Sequence, residues 1–176
     1  MRYFRINIFW LIVPLVLIVL LLTPSLVFAE QQPQVFSTWE GFEADKCASI
    51  WLITKFIDKD AIIRFYPKGE AITQGIPFDT PDAGFRRYYN ISTFESLLRH
   101  YKIKDPKVNY IGRIIHDIEV NVWEKKVLKE TRIVQDEVNK IIWNTTGNKE
   151  IIKKSAIFFD LLYEKVLKRN EKKNAD

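Results

Sequence analysis

The sequence has very few of the residues that build most metal and redox centres. Its 176 residues include one cysteine and two histidines, so a single chain cannot form an internal disulfide or a multi-cysteine zinc or iron–sulfur site. A histidine-rich metal centre is excluded for the same reason. The chain also lacks the short motifs of phosphate-binding glycine loops, nucleophile elbows, zinc proteases and Cys-x-x-Cys redox enzymes.

The charge of the chain does not point to a nucleic-acid-binding protein. There are 27 basic and 22 acidic residues, a formal net charge of +5, and the two signs are interspersed, which is typical of a solvated surface. Because 47% of the residues are hydrophobic, the chain has enough apolar side chains for an ordinary core. We therefore expect one folded domain and no nucleic-acid partner.

The N-terminus has the layout of an export signal. Arg2 and Arg5 precede the uncharged stretch 8–22, and Ala29 ends a small-residue cleavage motif. A membrane anchor needs about 20 apolar residues, more than this stretch supplies, so we predict cleavage after Ala29 and a periplasmic or secreted protein. The alternative is an uncleaved anchor; any other membrane contact is expected to be weak. In such an oxidising compartment Cys47 is expected to be buried, because it falls in an apolar helical pattern.

The periodicity of the remaining chain predicts a predominantly helical α+β domain with a short β-sheet. Apolar residues recur at helical spacing after Asp45, which is placed to cap that helix, and the β-branched run 61–66 predicts a strand. The stretch 75–84 contains two prolines and is predicted to be a loop that holds Asp79 rigidly. The expected organisation is a signal peptide at 1–29, a disordered lead at 30–38, the domain at 39–170 and a disordered tail at 171–176.

Capping signals and apolar stripes predict four further helices. Ser92 and Glu95 fit a capping box at the start of one helix. Asp105, with a proline directly after it, begins the next. Apolar stripes predict the last two, at residues 127–143 and 149–169.

The polar residues allow two kinds of inorganic ion site. In the first, His116 and Glu119, three residues apart on one helix face, are joined by Asp79 or Asp45 to hold a divalent metal ion. In the second, basic side chains converge on a tetrahedral anion. These basic residues are Lys46, Arg64, Arg86, Arg87 and Arg113. The ordinary alternative for the basic residues is a surface charge, and for Asp79 a hydrogen bond within its own turn. For His116 it is a hydrogen bond to a carboxylate at the edge of the core.

Seven short segments carry a family resemblance. They are Asp-Lys-Cys-Ala-Ser-Ile-Trp-Leu-Ile at 45–53, Phe-Ile-Asp at 56–58, Ile-Pro-Phe-Asp at 76–79, Thr-Phe-Glu at 93–95, Asp-Pro at 105–106, Ile-His-Asp-Ile-Glu at 115–119 and Asp-Leu-Leu-Tyr at 160–163. In this order and spacing they resemble the chromate-resistance exported protein family, whose domain also forms the C-terminal part of ChrB-type chromate-resistance proteins. The resemblance covers about residues 39–163 and implies a part in bacterial chromate resistance.

One stretch departs from the family pattern. Many relatives have a histidine and a cysteine between the Phe-Asp loop and the Thr-Phe-Glu helix, whereas residues 85–92 contain neither and include Arg86 and Arg87. The departure weakens a thiol-based redox mechanism and suits an oxyanion site.

The sequence therefore predicts a protein that binds a small inorganic ion, chromate or another oxyanion or a metal ion, in a polar pocket. The residues expected to line this pocket are Asp45, Lys46, Asp79, Arg86, His116 and Asp117. A divalent metal ion is the one cofactor considered. Two other classes of function stay open: an enzyme with His116 as general acid or base, and a non-catalytic module whose basic C-terminal helices dock on a membrane surface.

Overall fold

The computed structural model describes residues 32–121 and 125–175. The predicted export signal, residues 1–29, lies outside the described residues. Within the described ranges, none of the helices combines the length and the apolar character that a membrane span requires.

A small sheet of three parallel strands forms the β part of the fold. β1 (Val35–Trp39) lies in the middle, between β2 (Ile62–Tyr66) and the two-residue β3 (Ile76–Pro77). Gly75 lets β3 approach β1 closely: it has a φ of +83°, and a Cβ atom there would lie 2.5 Å from Ser37 Oγ. Because the strands are parallel, their carboxyl ends meet at one edge of the sheet, which we call the carboxyl edge.

The helices surround one buried central helix. The five α-helices of the described residues are α1 (Ala44–Leu52), α2 (Thr93–His100), α3 (Pro106–Glu119), α4 (Thr131–Trp143) and α5 (Asn148–Ala175). All nine residues of α1 are buried, and α1 packs against each of the other four helices. A π-helical turn, Ile53–Ile57, extends it. The predicted α+β class with a short sheet is confirmed.

The predicted starts of α2 and α3 are confirmed in atomic detail. Ser92 Oγ accepts a hydrogen bond from the Glu95 N–H, and Glu95 Oε2 accepts one from the Ser92 N–H. Asp105 Oδ1 accepts from the main-chain N–H groups of Lys107 and Val108. Side-chain acceptors thus satisfy the N–H groups that the first helical turn leaves without partners.

Several elements differ from the sequence-based expectations. Residues 35–38 of β1 fall within the stretch 30–38 that we expected to be a disordered lead, and Phe36 of β1 is fully buried. β3 lies within 75–84, expected to be a loop throughout. α4 begins at Thr131 rather than 127, and α5 runs to Ala175 rather than 169.

The predicted cap of α1 is wrong. α1 begins at Ala44 with Glu43 as its N-cap residue, and Glu43 makes no side-chain capping bond. Asp45 lies inside the first turn, and its carboxylate bonds to another helix.

The burial predicted for Cys47 is confirmed, since this residue is 1% exposed and forms no disulfide. Its burial raises the pKa of the thiol to about 12.

Candidate functional site

A polar cavity of about 500 Å³ lies at the carboxyl edge of the sheet. Trp39 ends β1, Lys68 follows β2 and Asp79 follows β3, and all three line the cavity. The charged residues of its lining are Glu40, Glu43, Lys46, Lys68, Asp79, Arg86 and Arg87. Ligands of open parallel sheets bind at this edge, because the loops that leave the strands surround it. We call it the edge cavity.

Lys46 is a buried base beside the edge cavity. Its side chain is 7% exposed, and Nζ donates hydrogen bonds of 2.8 Å to the carbonyl oxygens of Trp39 and Gly41. Both carbonyls belong to the segment that joins β1 to α1. Lys46 Nζ also lies 3.5 Å from Asp79 Oδ2. Two of its three N–H groups are therefore engaged by the main chain, and the third is left for Asp79 or a ligand.

Asp79 is held in an uncommon conformation with one carboxylate oxygen left unsatisfied. Its φ is +54°, a region that aspartate and asparagine enter more readily than most residues. Its N–H donates to the Phe85 carbonyl oxygen at 2.7 Å, and Oδ1 accepts from Thr93 Oγ1 at 2.8 Å. Oδ2 is buried and has no hydrogen-bond partner among the described residues. Such a group is costly to bury without a partner, which makes Oδ2 a candidate contact for a ligand or a proton.

The electrostatic surroundings of Asp79 favour its protonated form. Burial, assisted by the negative charge of Glu43, raises the pKa of Asp79 to about 6, although Lys46 and the Thr93 hydroxyl oppose the rise. This carboxyl therefore exchanges its proton near neutral pH rather than near pH 4. Acids with strongly perturbed pKa values beside a cavity are typical of functional sites.

Asp45 joins α1 to α2 directly behind the edge cavity. Its Oδ2 accepts from the Thr93 N–H at 2.6 Å and its Oδ1 from the Phe94 N–H at 2.9 Å. Asp45 and Asp79 thus both bond to Thr93, one to its main chain and one to its hydroxyl. Burial and the negative charges of Asp79 and Glu119 raise the pKa of Asp45 well above its ordinary value, despite the bonds to α2.

Glu119 completes a group of neighbouring carboxyls from α1, α3 and the loop after β3. It is the last residue of α3, its Oε2 lies 3.2 Å from Arg87 Nη1, and it accepts a hydrogen bond from the main chain of Asp45. Burial and the charge of Glu43 raise the pKa of Glu119 to about 7, and Arg87 limits the rise. Three of these carboxyls, Asp45, Asp79 and Glu119, consequently hold protons more tightly than ordinary acids.

His116 lies in a second cavity. This cavity, of about 520 Å³, shares no lining residue with the edge cavity. His116 Nδ1 lies 2.8 Å from Glu95 Oε2, the same oxygen that accepts from the Ser92 N–H. Glu95 therefore orients the imidazole while it caps α2.

Asp117 also lines the second cavity, and both of its oxygens are satisfied. Oδ1 accepts from Asn121 Nδ2 and the Val127 N–H, and Oδ2 accepts from the Leu128 N–H and Thr131 Oγ1. These bonds fix the turn that leads into α4, which explains why α4 begins at Thr131. Although burial opposes them, they hold the pKa of Asp117 at about 2.

The structure divides the six residues that the sequence predicted for one pocket. Lys46, Asp79 and Arg86 line the edge cavity, Asp45 lies behind it, and His116 and Asp117 line the second cavity. Of the other predicted anion ligands, Arg87 lines the edge cavity and Arg113 the second one, while Arg64 lines neither and hydrogen-bonds to Gln74. The described residues contain no group of three His, Cys, Asp or Glu side chains arranged to hold a metal ion, and Asp79, His116 and Glu119 bond to different partners.

Sequence reasoning missed several residues of the site, among them Lys68 and Thr93. Lys68 lines the edge cavity because it follows β2, a position that draws attention only once β1 is known to be a parallel neighbour. Thr93 was considered only within its helix, but it bonds to both Asp45 and Asp79. No local pattern shows that second role, since its partners are 48 and 14 residues away in sequence.

A comparison with protein families identifies the domain. The family model described as ChrB, C-terminal domain, matches residues 36–166, which is more than half of the chain. The chain belongs to the ChrB C-terminal domain family. The matched range contains every residue described above for the two cavities, and it confirms the resemblance seen in the seven segments. Among curated proteins and solved structures, nothing matches.

Proposed function

We propose that this ChrB-family protein contributes to chromate resistance by binding an oxyanion in the edge cavity, with chromate as the expected ligand. The observation that carries the proposal is the placement of four basic side chains around one cavity at the carboxyl edge of a parallel sheet. These are Lys46, Lys68, Arg86 and Arg87. Ammonium and guanidinium groups give charge-assisted hydrogen bonds to oxyanions, roughly twice as strong as neutral ones.

The balance of charge in the edge cavity favours an anion over a metal ion. Its lining carries four bases against three acids, Glu40, Glu43 and Asp79. Asp79 is also the acid whose pKa is raised to about 6, so protonation leaves the lining more positive still. A divalent cation would be repelled by these four bases.

We further propose that binding takes place in the periplasm, because residues 1–29 have the layout of a cleaved export signal.

Titration calorimetry with chromate and sulfate tests the proposal. We expect both anions to bind the wild-type protein, and Arg86→Gln to weaken binding about tenfold, the effect of losing one charge-assisted hydrogen bond. Arg113→Gln is the matched control: it removes the same charge beside the second cavity and should leave the affinity within about twofold. Absence of binding heat for both anions, or an equal loss in the two variants, would contradict the proposal.

A second candidate function rests on the contact between His116 and Glu95. A carboxylate 2.8 Å from one imidazole nitrogen orients the ring, as in enzymes that use histidine as a general acid or base. The second cavity beside it has room for a small substrate. This function requires a pH-dependent activity that disappears in His116→Gln while the fold and the chromate affinity persist.

A further inference from the structure

Lys46 and Asp79 are arranged so that an anion entering the edge cavity must disturb their pairing. Two N–H groups of Lys46 are engaged by the carbonyls of Trp39 and Gly41. Lys46 Nζ lies 3.5 Å from Asp79 Oδ2, a distance longer than a good hydrogen bond. An oxyanion that uses the third N–H of Lys46 would lie beside an ionised carboxylate, and two neighbouring negative charges repel each other.

We propose that the edge cavity binds its oxyanion together with one proton, and that Asp79 Oδ2 holds this proton. The inference rests on the oxyanion site proposed above and adds how that site is regulated. The carboxylate of Asp79 takes a proton from solvent and becomes a neutral carboxyl, with no other bond formed or broken. Its O–H then donates to an oxygen of the anion, and the third N–H of Lys46, which neither carbonyl engages, donates to the same anion.

The hydrogen bonds of Asp79 select Oδ2 as the proton acceptor. Oδ1 already accepts from the Thr93 hydroxyl, whereas Oδ2 is buried without a hydrogen-bond partner among the described residues. A proton converts it from an unsatisfied acceptor into a donor directed at a ligand oxygen.

The other charged groups around Asp79 belong to α1 and the segment before it, to the loops after β2 and β3, and to the end of α3. They are Glu40 and Glu43 before α1, Asp45 and Lys46 in α1, Lys68 after β2, Arg86 and Arg87 in the loop after β3, and Glu119 at the end of α3. Asp45 is bonded to two N–H groups of α2 and Glu119 to Arg87, and neither lines the cavity. Burial already brings the pKa of Asp79 to about 6 without an anion, so proton uptake is accessible at neutral pH.

The coupling gives a defined pH dependence. Above about pH 6 the free protein has Asp79 mostly ionised, so binding should take up close to one proton, and the affinity should fall by up to about tenfold per pH unit. Towards about pH 5 the carboxyl is already protonated, and uptake should approach zero. Calorimetry of chromate and sulfate binding in two buffers of different ionisation enthalpy measures this uptake directly.

Asp79→Asn distinguishes proton uptake by Asp79 from proton uptake by the bound anion. Asparagine tolerates the positive φ, and its amide group donates as a protonated carboxyl does. The variant should lose proton uptake and should bind at about pH 8 with roughly tenfold or greater gain in affinity over the wild type. Asp82→Asn, an exposed change in the same loop, is the matched control and should retain the uptake.

Each outcome of this experiment bears on a different claim. Loss of uptake in Asp79→Asn with both anions supports the inference. Binding without uptake in the wild type, or uptake that persists in Asp79→Asn, overturns it and leaves the oxyanion site standing. Absence of binding in wild type and variant at every pH overturns the proposed function, and this inference with it.

Discussion

Asp79 and Asp117 are both buried aspartates, but their carboxylates have opposite surroundings. Asp117 accepts hydrogen bonds at both oxygens, and its pKa is held at about 2. Asp79 has one satisfied oxygen and one unsatisfied oxygen, and burial with the nearby charge of Glu43 raises its pKa to about 6. The comparison shows that burial alone does not define a functional acid. Asp117, with hydrogen bonds at both oxygens, fixes the turn before α4. Asp79, with one oxygen that accepts no hydrogen bond from the described residues, can still accept a proton or contact a ligand.

The largest expected effect comes from removing the satisfied carboxylate. Asp117→Ala should lower the free energy of unfolding by about 3 kcal/mol, because two main-chain N–H groups and the Thr131 hydroxyl lose a charged acceptor. Urea denaturation followed by circular dichroism measures the change. Asp82→Ala, at an exposed position, should change it by less than about 0.5 kcal/mol. Equal effects of the two substitutions would remove the distinction between a structural and an ordinary aspartate.

An intermediate effect is expected in the pH dependence of stability. The folded-state pKa of Asp79 is raised from 3.8 to about 6, so between these values the folded protein binds more protons than the unfolded chain. Its stability should therefore fall as the pH rises through this window. Asp117 has the opposite sign: its lowered pKa gives a stability that is present above about pH 4 and is lost as the pH falls towards 2.

Asp79→Asn isolates the contribution of Asp79 to this pH dependence. When the pH rises from about 4 to 6, the unfolding free energy of the variant should fall by about 1 to 2 kcal/mol less than that of the wild type. Part of the decline should persist, because Asp45 and Glu119 also have raised pKa values. Denaturation curves over this pH range measure the slope. An unchanged slope would show that Asp79 titrates as an ordinary carboxyl.

The smallest effect is expected for His116. Because His116 and Asp79 line separate cavities, His116→Gln should change the chromate affinity by less than about twofold and the unfolding free energy by less than about 1 kcal/mol. Calorimetric titration and urea denaturation provide the two readouts. A tenfold loss of affinity would show that both cavities take part in chromate binding, as the single pocket predicted from the sequence requires.

The features that the sequence predicted well are those with local causes. The caps at Ser92 and Asp105 depend on residues within three positions of one another, so their motifs were sufficient. β1 was not predicted, because its pairing with β2 joins residues 27 positions apart, as for Val35 and Ile62. A prediction that lacks β1 contains no parallel sheet and no carboxyl edge, so it gives no reason to place Lys68 at the site.

The candidate site could be predicted only in part for a related reason. Lys46, Asp79 and Arg86 were chosen from charge and rigidity, and they share one cavity. His116 and Glu119 are neighbours on α3, yet His116 bonds to Glu95 of α2 while Glu119 reaches Arg87. Helical spacing places both residues on one helix, but the elements packed around α3 determine which partner each side chain bonds to.

A chromate titration followed residue by residue in amide NMR spectra tests the oxyanion site most directly. We expect saturable shifts centred on Gly41, Lys46, Asp79 and Arg86, with the amides of His116 and Asp117 unaffected. Shifts centred on the second cavity, or none at saturating chromate, would contradict it.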